Sequence, residues 1–157
     1  MRVLGNILWH FPFLGFLSAA VAFLFGTVLT LLVIPAPIGL GLIQLSKFML
    51  APFSYSMSRK NDLNVTQNKY WKLYSTIIMI LYLPFGCIMA LCVAIQIGCL
   101  FLSIVGIPMA LALCKAFGTY FNPVGKVCVP RQVADAIERQ KGEAVLEKYG
   151  FSDTPKE

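Results

Sequence analysis

The sequence predicts an all-α membrane protein, built as a tandem repeat of two Pro-broken helical hairpins and completed by a cytoplasmic C-terminal helix. The hairpins would supply about four membrane segments, two of them short. Three features of the 157 residues lead to this fold class: two long uncharged tracts, an internal repeat, and basic residues confined to a few places. The mean hydropathy is +0.75 and 58% of the residues are hydrophobic, whereas soluble domains usually contain about 45–50% apolar residues.

The two uncharged tracts are the strongest evidence for a membrane location. Positions 3–46 and 73–114 contain no Asp, Glu, Lys or Arg. A water-soluble domain needs charged side chains on its exposed faces. Long apolar stretches without charge are what the hydrocarbon core of a bilayer requires instead. The tracts therefore predict membrane segments.

The internal repeat appears when the chain is aligned with itself so that Pro37 falls on Pro108, because the same shift then places Pro52 on Pro123. Two prolines with identical spacing are a stronger signal than matched leucines in an apolar sequence. The pattern predicts a tandem duplication, which is a common way to build membrane bundles. The chain then divides into a first membrane hairpin repeat at 1–53, a basic cytoplasmic loop at 54–71, a second membrane hairpin repeat at 72–129, and a cytoplasmic helical tail at 130–157.

Each repeat unit begins with a weakly amphipathic stretch that carries aromatic residues suited to the membrane interface, Trp9 in one copy and Trp71 in the other. Pro12 or Pro84 is then expected to break or kink the chain. A long apolar segment follows, at about 13–34 or 85–105, followed by a tight turn and a shorter apolar segment. The positions assigned to turns are Pro37, Pro52, Gly106, Pro108, Pro123 and Gly125.

The short segments, at 38–53 and 108–123, leave two topologies open. A helix of roughly 16 residues is about 24 Å long, which is thin for a full span. Each segment either crosses with local thinning of the bilayer or re-enters behind neighbouring helices. Charge favours crossing, because the N-terminus, the basic loop and the tail would then share one side and the uncharged turns the other. The positive-inside rule makes that basic side cytoplasmic.

The tail after Pro130 predicts a helix with a modest apolar stripe. Asp135 and Arg139 are spaced for an i,i+4 ion pair. Gly150 is placed to cap the C-terminal end of this helix.

The stretch 103–115, which contains Ile104-Val105-Gly106-Ile107-Pro108 and ends in Lys115, is followed by Asn122-Pro123-Val124-Gly125-Lys126-Val127. These motifs resemble the YccF-like family of bacterial inner-membrane components. Ser54, Ala110 and Ala112 depart from the glycines usual in that family. The resemblance covers about residues 1–130 and implies a bacterial inner-membrane location and a duplicated domain. It implies no activity, because the family has no established one.

Three polar residues within or beside the apolar segments are the candidate ligand or pore residues. Gln44 and Lys115 stand at matching positions of the two copies. An ionisable residue in a membrane segment is a functional hypothesis by default, although a lysine can also snorkel toward the headgroups. The sequence leaves both interpretations open for Lys115. For Lys47, which lies nearer the end of its segment, it favours snorkelling.

The basic residues and the small-residue faces suggest what the protein contacts. Beyond the lipid bilayer itself, anionic lipid headgroups are possible partners of the basic loop. Small residues on the short segments allow close helix packing, within one chain or between the subunits of a homo-oligomer. Nucleic acid is not expected, because no basic stripe interleaved with aromatic residues lies outside the apolar tracts. The loop residues proposed for lipid contact are Arg59, Lys60, Lys69 and Lys72.

The sequence contains no recognisable set of catalytic residues, so we do not expect an enzyme. The apolar tracts carry no acid, and no phosphate-binding loop or zinc-protease motif is present. The five cysteines form no CxxC pair, so we expect neither a metal nor another cofactor.

Two functions remain. The first is a homo-oligomeric channel or small transporter-like protein, with anions as its candidate substrates, motivated by the duplicated hairpins and the recurring polar positions. The alternative is an accessory or scaffolding subunit of a larger membrane complex that transports nothing itself. It is motivated by the lack of an intramembrane acid that could relay protons.

Overall fold

The computed structural model describes residues 2–11, 15–63 and 68–150. The chain is mostly helical, as the sequence predicted, but it also contains two short strands and two 3₁₀ turns, at Lys60–Leu63 and Ile104–Gly106. The helices are α1 Arg2–His10, α2 Gly15–Leu31, α3 Ala36–Leu50, α4 Lys69–Phe101, α5 Ile107–Phe121 and α6 Arg131–Lys148. The strands are β1 Tyr55–Arg59 and β2 Lys126–Pro130.

Helix α4 is the one helix in the described ranges that is long and apolar enough to cross a membrane. Its 33 residues correspond to about 50 Å at 1.5 Å per residue, more than the hydrocarbon thickness of about 30 Å. Helices α2, α3 and α5 are apolar but have only 17, 15 and 15 residues. The first apolar segment is therefore shorter than its predicted range.

Pro84 does not end a helix, so of the predicted break or kink in the second repeat unit, the break is wrong. Helix α4 runs without interruption from Lys69 through Pro84 to Phe101. Proline is tolerated inside membrane helices because neighbouring groups compensate for the lost backbone hydrogen bond. The matching prediction for Pro12 falls outside the described residues.

Each short helix packs antiparallel against the long apolar segment before it. A Cβ added to Gly26 of α2 would lie 2.8 Å from the carbonyl oxygen of Gly39 in α3. In the second hairpin, a Cβ added to Gly86 of α4 would lie closer still to the carbonyl oxygen of Phe121. Small residues thus let the helix backbones meet within each hairpin, one of the two packing modes predicted for the small-residue faces.

A two-stranded ribbon, not predicted from the sequence, joins the basic loop to the segment that leads into the tail. Strands β1 and β2 pair antiparallel, with Met57 opposite Cys128 and Arg59 opposite Lys126. The shift that aligns the two prolines also superimposes both ends of α3 on those of α5, and both ends of β1 on those of β2. Each short helix is therefore followed, after a short turn, by one strand of the ribbon.

The core lies where the two hairpins meet and is closed by α1. Phe48 is buried among Leu45, Met49 and side chains of α5. Trp9 is only 7% exposed and belongs to the same cluster, so it is a core residue and not the interfacial anchor that the sequence suggested. The α5 members of the cluster are Met109, Ala112, Leu113 and Ala116.

Helix α1 is held against the end of α3 by three polar side chains on one face. The Trp9 indole nitrogen donates to the carbonyl oxygen of Met49 at 2.7 Å, and His10 Nε2 lies 2.8 Å from that of Leu50. Asn6 accepts a hydrogen bond from the backbone N–H of Phe53 at 3.2 Å. The last carbonyl groups of a helix lack partners within it, so these side chains satisfy two of them in α3.

Helix α6 follows β2 directly and stays largely exposed. The predicted pair between Asp135 and Arg139 is wrong, because Asp135 instead faces Arg131, with Arg131 Nε 3.9 Å from Asp135 Oδ2. Ala134 is the buried residue of α6. Of the predicted apolar stripe, Ile137 is half-buried, whereas Val133 and Val145 are exposed. Gly150 caps the helix as predicted, with a φ of +79°, a conformation that glycine adopts readily.

Candidate anion site

A basic cavity of about 390 Å³ lies between the loop after β1, the first turns of α4 and the turn before β2. Four cationic side chains converge on it from these three elements. Met79 and Val124 add an apolar wall. The cationic residues are Arg59, Lys60, Lys72 and Lys126, and the uncharged polar residues are Asn61, Ser75, Thr76 and Asn122.

The ribbon and its turns bring the cations together. The β1–β2 register sets Arg59 directly opposite Lys126. Beyond that pair, the backbone N–H of Lys60 donates to the carbonyl oxygen of Gly125 at 2.9 Å. Gly125 has a φ of +70°, which favours glycine, and Asn122 Oδ1 accepts from the N–H of Val124 at 3.0 Å. These bonds fix the turn that carries Lys126.

Helix α4 supplies the third wall of the cavity. Lys72, Ser75 and Thr76 are three and four residues apart, which sets them on one face of the helix. The Thr76 hydroxyl donates to the carbonyl oxygen of Lys72 at 2.9 Å. Ser75 borders the cavity as a further hydroxyl group.

The nearby carboxylate of Asp62 is engaged elsewhere. Lys141 of α6 lies 2.7 Å from Asp62 Oδ2, and this hydrogen bond is the main cause that holds the pKa of Asp62 below its usual value. The bond also ties α6 to the loop. Among the described residues that line the cavity, none is acidic.

The surroundings of Lys126 disfavour its positive charge. Burial is the larger cause that lowers the pKa of Lys126, and repulsion by Arg59 lowers it further. Desolvation and like charge both destabilise an ammonium group. A bound anion would raise the pKa of Lys126 again, because a nearby negative charge stabilises an ammonium group. The cavity therefore favours a negatively charged ligand.

A second, smaller cavity of about 90 Å³ adjoins the basic cavity and extends toward α3. The two cavities share Lys60, Ser75, Gly125 and Lys126. On the far side, the smaller cavity is lined by Trp71 and by residues of α3. The α3 residues are Pro37, Leu40, Gly41 and Gln44.

Gln44 and Lys115 are not brought into one site. Gln44 Oε1 accepts a hydrogen bond from the backbone N–H of Cys128 at 3.2 Å, so it joins α3 to β2 and borders the smaller cavity. Lys115 Nζ lies 5.9 Å from the ring centroid of Phe53. Its electrostatic neighbours are Arg131 and Asp135 of α6, a position that agrees with the snorkelling interpretation.

Lys47 is exposed near the ribbon and acts electrostatically on Cys128. Burial raises the pKa of the Cys128 thiol to about 11, and Lys47 opposes this shift. Lys47 does not line the basic cavity.

The predicted turn positions all lie at the ends of elements. Pro37 and Pro108 stand in the first turns of α3 and α5, where a proline costs no hydrogen bond. Pro52 and Pro123 are fully buried in the turns that follow these helices. Gly106 packs its Cα against the carbonyl oxygen of Leu100.

Of the four residues expected to contact anionic groups, the cavity contains Arg59, Lys60 and Lys72 but not Lys69. Lys126 was not predicted as a member of this site, because its position in the cavity depends on the pairing of two strands that lie far apart in the chain. The available signal was the alternation of Val127 and Val129 after Gly125. In the described part of the chain, no three metal-ligating side chains form a cluster.

Residues 4–55 match the family model of YccF, described as an inner membrane component domain. The predicted family resemblance is thereby confirmed. The match covers about a third of the chain, from α1 to the first residue of β1, whereas the second copy had suggested the resemblance most specifically. No curated protein and no solved structure matches the chain. The YccF match and the apolar helices together identify a membrane protein.

Proposed function

We propose that this chain is an anion-binding, transport-type protein of the bacterial inner membrane, with its anion site in the basic cavity. The observation that carries the proposal is the convergence of four cationic side chains on one cavity without an acidic residue among its described lining. The inner-membrane location is supported by the description of the YccF domain.

The ribbon supports a topology in which the N-terminus, the loop and the tail share the cytoplasmic side. Strand β1 lies in the basic loop and pairs with β2, which leads directly into the tail, and paired strands lie on the same side of a bilayer. Asn6 bonds to the backbone of Phe53, which ties α1 to the same side. The basic residues make this side cytoplasmic by the positive-inside rule.

Three observations favour re-entry over crossing for the first hairpin. Helices α2 and α3 are each shorter than the roughly 20 residues of a span. The Tyr74 hydroxyl lies 2.6 Å from the carbonyl oxygen of Ile34 and 2.9 Å from that of Val33. The α2–α3 turn therefore touches the part of α4 nearest to the basic loop. The turn residues Val33 and Ile34 are 71% and 69% exposed, which suits contact with lipid and not with water.

A single cysteine at the α2–α3 turn tests re-entry. In a variant without the native cysteines, we expect Leu32→Cys to resist a membrane-impermeant maleimide added from the periplasmic side, because the turn does not reach that surface. Asn61→Cys is the matched control and should react only in inside-out vesicles. Reaction of Leu32→Cys from the periplasmic side would contradict re-entry and support the crossing topology.

The two hairpins also support a tandem duplication. Trp9 donates to the carbonyl oxygen of Met49, and the Tyr82 hydroxyl lies 3.4 Å from that of Tyr120. Met49 and Tyr120 are equivalent positions under the shift that aligns Pro37 with Pro108. In both copies, an aromatic side chain from the preceding segment therefore bonds to the carbonyl group at the same position of the repeat. The Met57–Cys128 pair is also related by this shift, which supports an approximate two-fold relation between the two copies.

Transport is tested by anion flux and native mass. We expect a discrete homo-oligomer in mild detergent and, in liposomes, anion flux that falls several-fold in Arg59→Gln, because the cavity concentrates anions. Lys115→Met is the second variant, and unchanged flux with intact assembly would remove Lys115 from the pathway. Wild-type liposomes no leakier than empty ones would refute transport and leave anion binding to be measured separately.

The accessory function is favoured by one observation, the exposed apolar residues of α6. Val145 and Leu146 in the last turns of α6 are exposed, as is Tyr149 directly after the helix. All three lie beyond Arg131, Ala134 and Lys141, which connect α6 to the rest of the described chain. Such a surface suits a protein partner. A stoichiometric partner that co-purifies from the native membrane, and is lost on truncation before Arg131, would select this function.

A further inference from the structure

We infer that the basic cavity binds a phosphate group carried on a small organic moiety, an inference that rests on the anion-binding function proposed above and specifies its ligand. The charge, the donor types and the size of the cavity together favour a phosphate ester over a simple halide ion.

The charge of the cavity calls for a ligand with more than one acceptor oxygen. The cations Arg59, Lys60, Lys72 and Lys126 all line it, and Asp62, an acid that acts on Lys126, is already bonded to Lys141. A phosphate group offers several strong acceptor oxygens to such a set of donors. A single halide ion offers one acceptor atom to donors on three walls, whereas a phosphate group distributes several acceptor oxygens among them.

The donor types also suit phosphate. The planar guanidinium of Arg59 matches phosphate in a bidentate geometry, while a lysine ammonium acts as a point charge. Lys60 and Lys72 approach from different elements. Ser75 and Asn61 can add neutral donors beside them.

The volume of the cavity points to an ester and not to a bare ion. At about 390 Å³, it lies within the range of roughly 300–1,000 Å³ typical of small-molecule sites. Met79 and Val124 provide an apolar wall, which suits the carbon part of a phosphate ester. The site therefore accommodates a charged head with an organic moiety attached.

Two sources could supply this chemistry, a phospholipid headgroup or a soluble phosphate ester. The cavity lies at the start of α4, where the exposed apolar residues Leu73, Ile77 and Ile80 begin the lipid-facing side of the helix. Both sources would use the same cations, so experiments with each must be compared.

The test compares Lys72→Gln with Lys69→Gln, two substitutions that remove the same charge from the first turn of α4. Lys72 lines the cavity and Lys69 does not. In a phosphate-free maltoside detergent, glycerol phosphate is titrated by calorimetry. In a second arm, native mass spectrometry follows the retention of phosphatidylglycerol against phosphatidylcholine. Thermal melting of each variant verifies that it remains folded.

We expect Lys72→Gln to weaken binding roughly tenfold, as the loss of one charge-assisted bond does, while Lys69→Gln stays close to wild type. Saturable binding of glycerol phosphate assigns a soluble ester. Retention of phosphatidylglycerol that glycerol phosphate does not displace assigns a lipid headgroup. Equal effects of the two substitutions in both arms would overturn the site. Chloride or acetate competing as well as glycerol phosphate would overturn the phosphate preference but leave anion binding intact.

Discussion

Replacing Gly41 with alanine is expected to destabilise the protein by about 1–3 kcal/mol, as overpacking of a close contact does. Gly41 of α3 packs directly against the backbone carbonyl group of Pro123, and an added Cβ would overlap with its oxygen and carbon atoms. Pro123 is fully buried, so the turn cannot move aside without disturbing its other contacts. Thermal melting of the purified protein in detergent measures the effect.

Gly98→Ala is the matched control for this prediction. Gly98 also lies within an apolar helix, but an added Cβ there meets nothing within 4 Å. Alanine should therefore leave stability unchanged or raise it by about 0.5–1 kcal/mol through helix propensity. If Gly41→Ala melted like Gly98→Ala, the close contact between α3 and the turn at Pro123 would be wrong.

The contact at Gly41 also links stability to the candidate site. Gly41 lines the smaller cavity together with Gln44 and Lys126, and Pro123 begins the turn that leads into β2. A shift of α3 away from Pro123 would strain the bond from Gln44 to the backbone of Cys128. We therefore expect the folded fraction of Gly41→Ala to bind anions more weakly.

The helices were readable from the sequence because their signals are local. The uncharged tracts and Pro37 and Pro108 located α3 and α5, since charge, hydropathy and a proline at a helix start act within a few residues. Pro84 was expected to break or kink the chain, and it does not break α4. Whether a membrane helix continues through a proline depends on neighbouring groups that compensate for the lost hydrogen bond. No single-sequence pattern reports those neighbours.

The ribbon could not be predicted from the sequence, because it depends on contacts between residues that lie far apart in the chain. Strands β1 and β2 have five residues each and follow the two short helices, so the alternation within each strand is too short to reveal that the two strands pair. Their pairing sets Arg59 beside Lys126. The loop cations were therefore predictable as a group, but the cavity that three of them share with Lys126 was not.

Gln44 and Lys115 show the same limit at the level of single side chains. Their matching positions predicted a common role, yet Gln44 bonds to the β2 backbone and Lys115 lies over Phe53. A polar residue in an apolar segment must find a partner, and the sequence cannot tell whether that partner is a ligand or the backbone of a neighbouring element. For Gln44, the partner is the backbone N–H of Cys128.

The second large effect is expected at Trp9, because it fills the core and also donates a buried hydrogen bond. Trp9→Ala should cost about 3–5 kcal/mol, the usual range for removing a large core side chain. Trp9→Phe keeps most of the apolar volume but leaves the Met49 carbonyl group without its donor. It should cost about 1–3 kcal/mol. Thermal melting in detergent measures both.

Trp71 provides the control, because the chain has two tryptophans and Trp71 is 38% exposed without belonging to the core cluster. Trp71→Phe should change stability by no more than about 0.5 kcal/mol, and the remaining emission then comes from Trp9 alone. A core position predicts that this emission resists quenching by acrylamide. Efficient quenching by acrylamide, together with equal melting temperatures of Trp9→Phe and Trp71→Phe, would contradict the core position. Trp9 would then lie at the membrane interface, and α1 would not pack against the end of α3.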